Sequence, residues 1–160
     1  MHGGTVPLAI YIEPKAGARA DAMLEPEALA LVDRITAKLE RDFPEVKNAA
    51  SLSKYMRKAH RLFAGPDAGA LPASRALAAQ ELLTVEDPAM MRDILSFNHG
   101  TAAVYVMMPD EGSSKATHVI ERLRHYFDEE EARVPYRITI TGIYGIADGI
   151  YRSLVGGLAG

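Results

Sequence analysis

The chain contains no cysteine. That excludes structural disulfides and thiolate metal sites and leaves the redox compartment open. It also lacks a basic excess: 18 Lys and Arg stand against 21 Asp and Glu, a formal net charge of -3. Nucleic acid is a poor partner for such a chain, because no cationic stripe would neutralise phosphates. No apolar run reaches the roughly 20 residues needed to cross a bilayer. No apolar segment of the signal-peptide kind follows Met1-His2-Gly3-Gly4, so residues 1–4 read as an expression remnant.

What is present suits a globular domain. The 160 residues are 48% hydrophobic, enough for one core that buries roughly two-thirds of the unfolded surface. The stretch His99–Phe127 organises the rest. Thr101–Met108 is a nearly continuous apolar run, as a strand covered on at least one face requires. Pro109-Asp-Glu-Gly112 is a turn, and Ser113 or Ser114 can cap a helix. That helix places Ala116, Val119, Ile120, Leu123 and Phe127 on one face. Asp128–Glu131 reads as a solvated acidic end where the helix frays or stops, because acid at a C-terminus opposes the dipole.

Around this unit the chain reads in order. Val6–Glu13 is a strand with Leu8, Ile10 and Ile12 alternating inward, and Lys15–Met23 is a loop. A helix from Pro26 to Phe43 carries Leu31, Val32, Ile35 and Leu39 inside, and Pro44 stops it. Glu45–Ser51 gives a short strand. Leu52–Phe63 and Ser74–Thr84 are helices, and Asp87-Pro88 opens a third. Pro135–Thr141 is the last strand. Residues 143–160 form an apolar tail too glycine-rich for a stable isolated helix.

Setting aside the helical segment 52–95 leaves strand–helix–strand–strand–helix–strand. The expected fold is therefore α+β, a ferredoxin-like split βαβ sandwich over residues 5–142, with a helical insertion between the second and third strands. Its strands should lie in the order fourth, first, third, second. Both chain ends of the sheet unit would then meet at one end, with Val6 near Gly142, and the insertion, including Gly69, would occupy the other. The short inserted helices should be more mobile than the sheet.

Chemistry is sparse. Ser113, Ser114 and His118 sit close in sequence, but serines at a helix start are ordinarily caps. His118, Glu121 and His125 share a helix face, yet two-turn spacing is wide for one ion and HExxH is absent, so a solvated face is the ordinary reading. Gly112-Ser-Ser-Lys115 lacks P-loop spacing. No catalytic residue, metal site or cofactor is indicated. Two surfaces remain. Lys54, Arg57, Lys58 and Arg61 share a basic helix face that could meet anionic lipid or an acidic partner. Met56, Leu62, Leu82, Leu83, Met90 and Met91 could line a soft apolar groove for a hydrophobic ligand, with core packing as the plainer reading.

Several segments together resemble the porter-type extracytoplasmic domain of RND-superfamily, MMPL-like exporters. Pro7-Leu-Ala-Ile-Tyr-Ile resembles the strand that opens the loop after a membrane helix, and Glu25-Pro-Glu-Ala-Leu the start of the first helix. In Phe43–Tyr55, Val46, Ser51 and Tyr55 match the family's V-x-x-x-x-S-x-x-x-Y. Leu71-Pro-Ala-Ser, Asp110-Glu-Gly-Ser-Ser-Lys and Ile140-Thr-Gly-Ile-Tyr match further elements. The Tyr55 and Leu71-Pro72 elements point to the second large loop of such a transporter. The resemblance implies a non-enzymatic domain at the periplasmic face of the bacterial inner membrane. Its parent would export lipids or other hydrophobic molecules on the proton gradient. Its partners would be that substrate, the transporter's membrane helices and a periplasmic protein, and the tail 143–160 would lead toward a membrane helix. The alternatives are a stand-alone ferredoxin-like ligand-binding or regulatory module, and an enzyme on the same fold.

Overall fold

A computed structural model of the chain describes residues 5–68, 71–85, 88–109 and 113–141. The expected remnant 1–4, the tail 143–160, the cap Asp87, the turn residues Asp110–Gly112, and both Gly69 and Gly142 lie outside the described residues. So do the side chains of Val6, Met90, Ser113 and Ser114.

The architecture is mixed α+β. Four strands, β1 (Thr5–Pro14), β2 (Ala49–Ser51), β3 (Ala102–Pro109) and β4 (Tyr136–Thr141), form one sheet in the order β2-β3-β1-β4, with every neighbouring pair antiparallel. This is the strand order that the pattern of segments predicts. The register fixes direction. Thr5 pairs with Pro109 and Ile12 with Ala102, while β4 runs from Tyr136 opposite Pro14 to Thr141 opposite Ala9. The first strand thus starts at the end toward which the last one runs. β2 runs the other way, with Ser51 opposite Val104, so the inserted segment leaves toward the Ile12 end of the sheet and rejoins there at Ala102.

One face of the sheet carries the core. Leu8, Ile10 and Ile12, then Val104 and Val106, then Tyr136, Ile138 and Ile140 meet helices α1 (Pro26–Asp42) and α5 (Ser113–Glu131). From α1 come Leu31, Val32, Ile35 and Leu39. From α5 come Ala116, Val119, Ile120, Leu123 and Phe127, as the three- and four-residue spacing requires. On the opposite face Ala9 and Ala103 are also buried; each lies across from a tyrosine, Tyr105 and Tyr11 respectively.

The insertion comprises α2 (Leu52–Ala64), α3 (Arg75–Val85) and α4 (Pro88–Ile94). Ser51 caps α2, its hydroxyl accepting from the Lys54 N–H at 3.3 Å. Gly65 ends α2 with φ of 103°, a conformation that needs glycine. Ser74 caps α3 by accepting from the Leu77 N–H at 3.1 Å.

Three expectations are corrected. β2 is only Ala49–Ser51: the Val46 N–H bonds back to the Phe43 carbonyl and closes a turn at Pro44–Glu45, and ahead of Ala49 the segment reaches β3 through the Lys47 N–H to the Met107 carbonyl at 3.0 Å without entering the strand. The loop 15–23 ends in a 3-10 turn, Ala22–Leu24, whose three side chains are buried; three residues are too few to show a period. The helix also runs on through Asp128–Glu131 instead of fraying. Its acids have partners: Glu130 is buried against Arg34, with Nη2 to Oε1 at 2.9 Å, and Glu131 accepts the Ile138 N–H at 2.6 Å. Those bonds outweigh an unfavourable dipole term of at most about 1 kcal/mol.

Candidate functional site

The six residues expected to line a groove do not share one surface. Met56, Leu82 and Met91 are buried in the core, whereas Leu62 and Leu83 point to solvent. The Met90 side chain lies outside the described residues.

The basic face is half neutralised. Arg57 donates to both oxygens of Asp33, at 2.9 and 2.5 Å, and Lys54 bonds Glu40. Both acids sit on α1, so these cations fasten the insertion to the sandwich. The Arg57 guanidinium is held above its usual range by the hydrogen bond to Asp33. Lys58 and Arg61 are exposed and form no ion pair among the described residues.

A polar pair that sequence spacing does not reveal lies between α2 and α3. His60 Nδ1 stands 2.6 Å from Glu81 Oε2. Glu81 is wholly buried, and its other oxygen has no hydrogen-bond partner among the described residues. A carboxylate behind an imidazole is the orienting half of a catalytic triad, but no hydroxyl bonds His60 among the described residues. The pair ties the two inserted helices together.

An open groove of about 500 Å³ runs between α1 and α5. His118, Glu121 and His125 line it, together with Phe43, Arg122 and Tyr126. The Arg122 guanidinium lies 4.8 Å over the Phe43 ring and also bonds Glu45 at 2.9 Å, and Lys38 lies 5.3 Å over Tyr126. The Tyr126 hydroxyl is buried with no hydrogen-bond partner among the described residues, and desolvation, with help from the Glu130 charge, pushes its pKa up to about 12. His125 faces Glu129 at 3.7 Å. Among the described residues no three His, Asp or Glu side chains are grouped to hold a metal ion.

The most constrained surface is at the Ile12 end of the sheet, where two loops lock together. Asp21 and His99 both have left-handed backbones, with φ of 60° and 61°, each a cost that persists only where neighbours enforce it. His99 Nδ1 lies 2.9 Å from Asp21 Oδ1. The Asp21 N–H donates to the Asn98 carbonyl at 2.8 Å, and the Met23 N–H to the His99 carbonyl at 3.0 Å. Gly100 has no room for a side chain, since a Cβ there would stand 2.4 Å from the Ala18 carbonyl oxygen. From this knot Phe97 projects fully into solvent. The Phe97–Gly100 stretch has turn chemistry in its sequence, but the partner loop, about 80 residues earlier in the chain, has no signal that pairs the two.

Compared with family models, with curated proteins and with solved structures, the chain finds no match.

Proposed function

We propose that the chain is a ferredoxin-like, non-enzymatic extracytoplasmic domain of an RND-type, proton-driven exporter, standing at the periplasmic face of the inner membrane. One observation carries this reading. β1 starts at the sheet end toward which β4 runs, while both junctions of the helical insertion lie at the other end. A domain hung between two membrane helices needs that arrangement. The anchors then emerge on one side, and the insertion meets substrate or a partner protein away from the bilayer. The apolar residues that the insertion exposes, Leu62, Phe63 and Leu83, suit contact with a hydrophobic cargo, at low cost to the isolated domain.

The test is the gene that encodes the chain. Apolar segments of about 20 residues immediately before Thr5 and after Gly160 are the expected result. Polar coding sequence or a second globular domain on both sides would overturn the reading and leave the stand-alone ligand-binding module in its place.

A further inference from the structure

The core helices α1 and α5 both cover one face of the sheet. The other face has an unusual composition. A solvated face of an antiparallel sheet ordinarily alternates to polar and charged residues. Here the register sets Ala50, Tyr105 and Ala9 in one row across the strands, and Ala103, Tyr11 and Thr139 in the next. Ala50, Tyr11 and Thr139 are exposed, and Tyr105 is half-buried. Among the described strand residues, charge enters this face only one row further on. There Glu13 lies opposite Arg137, and the two bond each other at 3.4 Å. Glu13 also accepts from the Thr101 hydroxyl at 3.1 Å. From outside the sheet the exposed Asp93, on α4, acts on the Tyr105 hydroxyl. The Tyr105 and Tyr11 hydroxyls bond each other; burial first, and then that bond, raise the Tyr105 pKa above its usual value.

We propose that this face, centred on Tyr11 and Tyr105, binds an uncharged, largely apolar small molecule that lies across β1 and β3 with a hydroxyl or ether oxygen against the paired phenols. Three features select this occupant. The first is size. Three uncharged rows, that of Pro7 and Met107 included, make a patch of roughly 300 Å² at ordinary strand spacing. A stable protein interface takes about 800 Å² from each partner, so a second copy of the chain is too large an occupant for this patch alone. The second is charge. An anionic head would find no unpaired cation in these rows and would lose its water without compensation. A cation would find only Asp93, whose attraction solvent screens. The third is the phenol pair, a polar handle on an apolar floor, which orients a molecule with one polar atom. Where the transporter reading holds, this molecule is the cargo and the inference names its class; a gene without membrane segments would remove the transport and leave the site.

The test titrates the whole chain with two fluorescent probes that share their rings. N-phenyl-1-naphthylamine is uncharged, and 1-anilinonaphthalene-8-sulfonate carries a sulfonate. The uncharged probe should brighten and saturate at one per chain, and the sulfonate should bind at least about tenfold more weakly. Thr139→Lys and Ala50→Lys set a charge beside Tyr11 and beside Tyr105. Both positions are exposed, so both variants should melt with the wild type, and each should weaken the uncharged probe about tenfold or more. Tyr11→Ala should weaken it through the lost ring. Leu83→Lys, on α3, should leave binding unchanged. Four results would overturn the proposal. One is no saturable binding of the uncharged probe, and another is a sulfonate that binds as tightly. A third is binding lost with Leu83→Lys and kept with Thr139→Lys, which would move the site to the insertion and leave the transporter reading intact. The fourth is a concentration-dependent dimer that Thr139→Lys disperses, which would assign the face to a second copy of the chain.

Discussion

The sandwich of the sheet with α1 and α5 and the inserted helices α2 and α3 solve burial in opposite ways. In the sandwich the apolar stripes face each other; Lys38–Asp42 lies at the surface, and the buried carboxylate of Glu130 sits at the edge, where it meets a half-exposed Arg34. In the insertion an ionisable pair, His60–Glu81, lies inside while Leu62, Phe63 and Leu83 lie outside. Burial of a polar pair yields little net stability, and exposure of leucine yields none. The sandwich is therefore the part that holds the fold. The insertion is held to it by Met56, Leu82 and Met91 and by the cations of α2, and its outer surface is left for contact with something else.

The largest effect should come from emptying the sandwich. Leu123→Ala removes a fully buried side chain between α5 and the sheet and should cost about 2–5 kcal/mol in urea unfolding. Next comes the buried pair. His60→Ala strands the Glu81 carboxyl group and should cost about 3 kcal/mol, whereas replacing both residues by leucine should leave stability unchanged or raise it. A double replacement as damaging as the single one would mean that the pair is itself a main source of stability, and the contrast between the regions would fail.

Two titrations sharpen the sandwich side. Tyr126 is raised to about 12 by desolvation. A raised folded pKa gives stability that is present below the unfolded value, about 10, and is lost as pH climbs through 12. Unfolding free energy should thus fall between pH 10 and 12, and Tyr126→Phe should flatten that fall. The Glu130 carboxyl is lowered, chiefly by its hydrogen bond with Arg34. Its contribution is present above the unfolded value, near 4.3, and is lost as pH drops through the lower folded value. Arg34 is half exposed, so Glu130→Gln should cost no more than about 1 kcal/mol at pH 7 and should remove part of the acid sensitivity. The smallest effect belongs to Leu83→Ala, which should stay within about 0.5 kcal/mol of wild type.

How much of this was legible in the residues follows the range of each interaction. Periodicity located β1, β4, α1 and α5, because each buries a repeating face over two turns or more than four strand residues, and a nearly continuous apolar run located β3. Pro26, Pro44 and Ser74 marked helix ends, where the chemistry is local. The acidic end of α5 misled, since what holds Glu130 is Arg34, on another helix. His60 and Glu81 stand on separate helices, and Asp21 and His99 in separate loops, so no spacing rule could join either pair.

Native-state amide exchange tests the central contrast most directly. The Val104–Met107 amides of β3 should exchange only through global unfolding. Those of Ala78–Thr84 in α3, packed around a polar pair and exposed on one side, should exchange through a cheaper local opening, at least about tenfold faster. Equal protection in the two segments would mean that the insertion and the sandwich form one cooperative unit, and would contradict the account.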